Sequence, residues 1–222
     1  MTELRRIVWL ALLAGIAAGV VVTAAQLFST TPLILAAEVF EKAGDAADHP
    51  GVHLRTANTL LSNVLAGTGF GLILSALLSM QPAVSVRQGV TLGAFAFLAV
   101  SLAPALGLPP ELPGGASGAL MERQLWWIGT VTASAIGLAL IALGRNPWLK
   151  LAGVGLLLLP HLIGAPQGAL PASHAAPLEL QRRFIVASLG TTALFWLVLG
   201  AALGWLYATP ARSRSGSVPT PR

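Results

Sequence analysis

Acidic and imidazole side chains that could bind a metal ion are concentrated in one short segment of the chain. Its carboxylates recur at intervals of three and four residues, at Glu38, Glu41, Asp45 and Asp48. On a helix this spacing forms one acidic stripe, which His49 continues before Pro50 and Gly51 end the helix and His53 follows. Carboxylate and imidazole together suit divalent first-row metals such as cobalt, nickel and zinc. The segment is a candidate metal-capture site, and a solvated loop helix without specific function accounts for the same residues equally well.

A second candidate is His161, which stands at the end of an apolar stretch between Pro160 and Gly164. An ionisable side chain at membrane depth is costly and indicates a ligand or a residue of an ion pathway. Near the membrane surface the cost falls, so a hydrogen-bonded structural histidine is the alternative. Neutral oxygens could come from Gln26, Thr30 and Thr31, although ordinary hydrogen bonding between helices is the favoured explanation for these three residues.

The elements that position these residues are apolar segments of membrane-spanning length. Asp, Glu, Lys and Arg make up 9% of the chain, against about 25% in soluble domains, and the mean hydropathy is +0.77. A spanning helix needs roughly 20 apolar residues. The candidates are Ile7–Leu27, Leu60–Met80, Gly89–Leu106, Trp126–Leu143, Trp148–Ile163 and Phe184–Leu206. The sequence therefore predicts an all-α, polytopic membrane bundle of six transmembrane helices, or five if the short Trp148–Ile163 segment does not span.

We expect residues 1–208 to form a single transmembrane domain. Residues 209–222 are rich in Pro, Ser and Arg and predict a disordered cytoplasmic tail. With six spans and the amino terminus inside, most basic residues fall on the cytoplasmic side, namely Arg5, Arg6, Arg87, Arg145, Lys150, Arg212, Arg214 and Arg222. The bias agrees with the positive-inside rule and predicts a multi-pass protein of the bacterial cytoplasmic (inner) membrane, in contact with membrane lipid.

Several function classes are excluded or disfavoured. The chain has no cysteine, so any metal must be held by nitrogen and oxygen. We found no zinc-protease motif, no Ser nucleophile beside a base and no nucleic-acid motif, so we expect neither an enzyme nor a nucleic-acid partner. Four spans carry Gly-x-x-x-Gly, at Gly15 and Gly19, Gly67 and Gly71, Gly89 and Gly93, and Gly200 and Gly204. Such pairs let helices approach closely, and we interpret them as packing contacts.

Five further segments carry a resemblance to a known family. They are Pro32–Leu35, Ala37–Glu41, Pro104–Gly114, Arg123–Trp127 and Pro160–Pro166, and the single residue Gln26 accompanies them. Together they resemble the CbtA family, the probable cobalt transporter subunit, over nearly the whole chain. The resemblance implies an inner-membrane protein for cobalt uptake, serving corrinoid synthesis, and a small single-span CbtB-like partner with a histidine-rich end. It also favours Glu38, Glu41 and His161 as ligands.

Taken together, the residues and the resemblance predict a membrane subunit of a transporter for cobalt or another divalent metal cation. Glu38, Glu41 and His161 are the candidate ligands, and Asp45, His49 and His53 form a looser capture set. We expect no resident cofactor, since the transported ion is Co²⁺ itself. The alternative is a noncatalytic membrane scaffold or assembly subunit of another complex.

Overall fold

The computed structural model describes residues 3–41, 52–113, 119–166 and 176–209. Regular structure in these ranges is entirely helical. The helices are α1 (Glu3–Phe28), α2 (Thr30–Glu41), α3 (Val52–Ser79), α4 (Val86–Ala96), α5 (Ala103–Gly107), α6 (Leu120–Leu143), α7 (Pro147–Ile163) and α8 (Leu178–Ala208). A π-helical stretch, Phe97–Leu102, joins α4 to α5 and is called the π segment below. The predicted all-α fold class is confirmed.

Five helices of the described chain are long and apolar enough to cross a membrane. They are α1, His53–Ser79 of α3, the continuous Val86–Gly107, α6 and α8. The remaining predicted span corresponds to α7, which has 17 residues and falls just below that length. It nevertheless lies antiparallel to α6, because Gly153 packs against Gly137 and the Pro160 carbonyl accepts a hydrogen bond from Trp126. The described chain therefore passes six times between the two ends of the bundle, and α7 is the shortest pass.

The two ends of the bundle differ in the residues that close them. At one end, called the Tyr207 end, α1 and α4 begin and α3 and α8 finish. There the hydroxyl groups of Ser75 and Tyr207 lie 2.9 Å apart, and the Arg6 guanidinium lies 4.7 Å from the Tyr207 ring centre. At the opposite end, called the Trp126 end, α5 and α7 finish and α6 and α8 begin. Every candidate site residue that the structure describes lies toward the Trp126 end.

Glycine contacts hold the helices together in pairs. A Cβ atom added to Gly15 of α1 would lie 2.5 Å from the Thr68 nitrogen of α3, and one added to Gly67 would lie 2.8 Å from the Gly15 oxygen. The Gly-x-x-x-Gly motifs of α4 and α8 meet in the same way, since Gly89 packs on the Gly200 and Gly204 backbone. These distances leave no room for a side chain, so backbones touch. The predicted packing role of all four motifs is confirmed.

The helix break between α1 and α2 has a local cause. Pro32 has no N–H group, so a continuous helix would leave the carbonyl group of Phe28 without a donor. The chain turns instead at Ser29, whose hydroxyl donates to the Ala25 carbonyl at 2.7 Å. In the new direction α2 packs against the start of α8, where Ala37 and Phe184 are buried together. The predicted acidic helix therefore exists from Thr30 to Glu41, while its continuation lies outside the described residues.

The π segment widens one turn inside the third long span. Pro104 follows it after one intervening residue and cannot donate a backbone hydrogen bond, which disturbs the regular i to i−4 pattern of the preceding turn. Within the segment, the Ser101 hydroxyl oxygen accepts a 2.9 Å hydrogen bond from the Trp196 indole of α8. Turns of this kind often occur at functional sites. The π segment thus places a hydroxyl group between α8 and the neighbouring helices.

Candidate functional site

Glu38 lies in the last turn of α2 and is paired with a cation. The Arg55 guanidinium, in the first turn of α3, donates a hydrogen bond to the Glu38 carboxylate at 2.6 Å. The side chains of Glu38 and Arg55 are 12% and 26% exposed, so the pair is largely withdrawn from solvent. A short charge-assisted bond of this kind is strong and fixes the carboxylate. A metal ion that uses this oxygen must first displace Arg55.

The other acidic and histidine candidates of this region are described in part. Glu41 is the last residue of α2, and its side chain is outside the described part of the structure. Asp45 and His49 also fall outside the described residues. His53 is the second residue of α3 and is exposed, two positions before Arg55. Because Arg55 contacts Glu38, His53 lies near the end of α2. The proposed stripe beyond Glu41 stays a prediction.

His161 lies near the end of α7 and contacts an aromatic ring. The Trp126 ring of α6 meets the His161 ring edge to face, with ring centres 6.0 Å apart and planes inclined at 68°. The Trp126 indole N–H donates to the Pro160 carbonyl oxygen at 3.3 Å. Gly164, with φ at +89°, then ends the helix in a backbone conformation that favours glycine. The His161 imidazole is thus held at the Trp126 end, partly buried.

The structure does not gather the candidates that it describes into one cluster. Helix α7 packs on α6 and α5, whereas α2 packs on α1 and α8, and no contact joins α2 to α7. Among the described residues, no group of three or more His, Asp or Glu side chains could hold a metal ion. Glu38 and His161 therefore belong to different helix pairs of the Trp126 end. Their role as metal ligands stays a prediction.

Neutral oxygens near the end of α1 take part in contacts between helices. The Asn63 side-chain amide of α3 donates to the Thr23 hydroxyl at 2.9 Å and to the Gln26 amide oxygen at 2.7 Å. The Thr30 hydroxyl donates to the Gln26 carbonyl at 3.4 Å. For Gln26 the favoured explanation, ordinary hydrogen bonding between helices, is confirmed.

Sequence reasoning missed a cavity at the Trp126 end. Its volume is about 940 Å³, and it lies where the π segment and α5 meet α6 and α8. Apolar side chains form most of its wall, and the polar residues that line it are Ser101, Glu111, Arg123, Gln124 and Thr192. The Arg123 guanidinium donates to the Glu111 carboxylate at 3.2 Å. Nothing in the sequence indicates that Arg123 contacts Glu111.

Three of the segments that carry the family resemblance come together around this region. Residues 104–111 and 123–127 supply two walls of the cavity. Trp126 contacts the 160–166 segment through Pro160 and His161, and Gly107 packs against both Trp126 and Ala165. A side chain at Gly107 would collide with the Trp126 ring. Three segments that are distant in sequence therefore meet at the Trp126 end.

The fold and this site define a polytopic helical membrane protein whose described acidic residues lie mainly at one end of the bundle. A family model described as "Probable cobalt transporter subunit (CbtA)" matches residues 4–208 of the 222-residue chain. The chain belongs to the CbtA family. No curated protein and no solved structure matches it.

Proposed function

We propose that this protein is the membrane subunit of a cobalt uptake transporter in the bacterial cytoplasmic membrane. The family match over residues 4–208 is the observation that carries the proposal. The family describes a transporter subunit, so a further subunit is expected. We propose that this subunit is a small single-span CbtB-like protein with a histidine-rich end. The imported cobalt then serves corrinoid synthesis.

Charge distribution supports an orientation with the Tyr207 end in the cytoplasm. Among the described residues, the basic ones at that end are Arg5, Arg6, Arg87, Arg145 and Lys150, and those toward the Trp126 end are Arg55, Arg123, Arg182 and Arg183. The bias is small but has the sign of the positive-inside rule. Among the described acids, Glu3 alone lies at the Tyr207 end, so the Trp126 end attracts cations from outside.

We propose Glu38, Glu41 and His161 as metal ligands, and Asp45, His49 and His53 as a looser capture set. At Glu38, binding exchanges the Arg55 guanidinium for a divalent cation, so the local charge changes by one unit. No nucleotide-binding motif accompanies these residues in the sequence. The membrane potential alone supplies about 4 to 5 kcal/mol per 100 mV for an inward divalent cation, which suffices to drive uptake.

Accumulation of radiolabelled cobalt tests this function. The full chain is expressed in bacteria that lack their own cobalt and nickel importers, with and without the CbtB-like partner. We expect Glu38→Ala and His161→Ala to reduce uptake to background, and Glu179→Ala to leave it unchanged. Glu179 is the matched control, because it also pairs with an arginine near the Trp126 end but is 68% exposed.

The same experiment separates transport from a scaffold role. In a scaffold, Glu38→Ala and His161→Ala would leave metal accumulation unchanged, whereas disrupting the glycine contacts would abolish the phenotype. No uptake by the unaltered chain, even with the partner present and with the protein shown in the membrane by immunoblot, would refute the transport proposal.

A further inference from the structure

The cavity at the Trp126 end lies outside the closely packed helix interfaces, which have no space for an ion. Between α1 and α3, the Gly15 and Gly67 backbones touch, so this interface has no space for an ion. The contacts of Gly89 with Gly200, and of Gly137 with Gly153, close the α4–α8 and α6–α7 interfaces in the same way. The cavity instead lies between these pairs, where the π segment and α5 separate α6 from α8.

Polar groups are arranged in this cavity from its opening inwards. Glu111 and Arg123 stand where α5 has ended and α6 has just begun, with side chains 34% and 22% exposed. Ser101 lies further inside, in the π segment. Thr192 lies in α8, more than a dozen residues from the start of that helix. Both residues line the cavity at this depth, which is the usual arrangement of polar residues along an ion path.

The Ser101 hydroxyl is held by its neighbour in a way that suits a cation. The Trp196 indole N–H donates to the Ser101 oxygen, so the serine does not use its own proton for this bond. One oxygen lone pair is left to face a cation or one of its waters. Trp196 is itself buried against Phe70 and Phe195, so the donor is fixed in position.

The size of the cavity also suits a hydrated ion. A water molecule occupies about 30 Å³, so an ion with six waters needs roughly 180 Å³. The cavity of about 940 Å³ therefore holds a divalent cation with its first hydration shell. Because Glu111 is paired with Arg123, the opening is nearly neutral, and a shift of the guanidinium leaves a carboxylate to attract the ion.

We infer that this cavity is a water-filled vestibule for a hydrated divalent cation, with Glu111 as the attracting carboxylate and Arg123 as its counter-ion. Ser101 and Thr192 supply oxygens deeper in the same space. The inference rests on the proposed transport function and adds a binding region separate from Glu38 and His161. Removal of Glu111 leaves Arg123 to repel cations, whereas removal of Arg123 leaves Glu111 to attract them, so the two changes have opposite effects.

Because the chain contains no cysteine, single-cysteine labelling tests the inference directly. Thr192→Cys places a thiol in the cavity, and Leu194→Cys places one two residues further along α8, on an exposed position outside it. The full-length variants are reconstituted in lipid nanodiscs and treated with a cationic methanethiosulfonate. Since thiolates form only in water, we expect Thr192→Cys to react at least about tenfold faster than Leu194→Cys. Excess Co²⁺ is expected to slow this reaction severalfold.

Charge variants in the Thr192→Cys background identify the cation-attracting group. We expect Glu111→Gln to abolish the Co²⁺ protection and Arg123→Gln to lower the Co²⁺ concentration that gives half protection. The matched controls Glu179→Gln and Arg183→Gln make the same charge changes in an exposed pair outside the cavity and should alter nothing. Loss of the protection in Glu111→Gln also excludes a simple effect of Co²⁺ on the introduced thiol.

Two results would overturn the vestibule. In the first, Thr192→Cys is labelled by N-ethylmaleimide but reacts no faster than Leu194→Cys with the cationic reagent. This result would show that the space is filled by lipid or by a partner helix. Fast cationic labelling without Glu111-dependent protection would show water but no cation site. Cobalt uptake in the same variants distinguishes the two proposals: uptake retained in Glu111→Gln removes the vestibule alone, whereas no uptake by the unaltered chain removes the transport function.

Discussion

The helices α1, α3, α4 and α8 form a tightly packed unit, and the α6–α7 hairpin is attached to it more loosely. In the four-helix unit, the side chains of Leu199 and Leu203 are fully buried, and an aromatic cluster joins Phe70, Phe195 and Trp196. The hairpin has one close glycine contact, between Gly137 and Gly153, and its connection to the unit runs mainly through the π segment and α5. The cavity opens along this connection.

The hydrogen bonding of buried polar groups differs between the two regions. In the four-helix unit, Asn63 bonds to Thr23 and Gln26, and Ser75 bonds to Tyr207, so buried polar atoms find partners on another helix. In the hairpin, the fully buried Ser134 hydroxyl has no hydrogen-bond partner within the described residues. An unpaired buried hydroxyl costs free energy. The difference indicates a rigid four-helix frame and a hairpin whose packing is less complete.

The largest effect is expected from filling a glycine contact in the four-helix unit. Gly67→Ala places a Cβ 2.8 Å from the Gly15 carbonyl oxygen, which is backbone and cannot move aside. We expect a loss of about 1–3 kcal/mol in the free energy of unfolding, as for overpacked cores. Gly69→Ala on the same helix meets open space and is the matched control; the gain in helix propensity makes it neutral or stabilising by up to about 1 kcal/mol.

Thermal unfolding in detergent, followed by size-exclusion chromatography, measures both changes. Equal melting temperatures for Gly67→Ala and Gly69→Ala would show that α1 and α3 are not in backbone contact. The comparison between the rigid unit and the hairpin would then lose its main support.

Sequence reasoning found the spans and these motifs because both depend on local patterns. An apolar run of some 20 residues and a Gly-x-x-x-Gly spacing are visible without knowledge of the fold. Gly137 and Gly153 were missed because each is a single contact glycine on its own helix, and only the tertiary structure shows that they meet. The π segment could not be predicted for a similar reason. Pro104 indicates that the regular helical hydrogen bonding is disturbed, but it does not indicate that a π-helix results.

The candidate site was less accessible to sequence reasoning. Glu38 was selected for its spacing from other acids, yet its contact with Arg55 depends on how α2 lies against α3. Glu111 and Arg123 meet across the connection between α5 and α6, and their pairing has no sequence signature. Charges that are separated along the chain pair only once the helices are placed.

A smaller effect is expected at the Tyr207 end. Tyr207→Phe removes a hydroxyl that lies 2.9 Å from both the hydroxyl and the carbonyl oxygen of Ser75, which is fully buried. We expect a loss of about 1–2 kcal/mol, because Ser75 is left with a poorer partner. Denaturation of Tyr207→Phe, Ser75→Ala and the double variant gives the coupling between the two residues. Additive losses would mean that the bond does not stabilise this end.

The smallest effect, with the opposite sign, is expected in the hairpin. Ser134→Ala removes the buried hydroxyl that has no partner in the described structure, so we expect the free energy of unfolding to stay the same or rise by up to about 1 kcal/mol. The matched control is Thr130→Val, one turn earlier on the same buried face, whose hydroxyl donates to the Trp126 carbonyl at 2.8 Å. That change should cost about 0.5–1.5 kcal/mol. If Ser134→Ala were the more destabilising of the two, Ser134 would have a partner in the membrane, and the hairpin would be as completely packed as the four-helix unit.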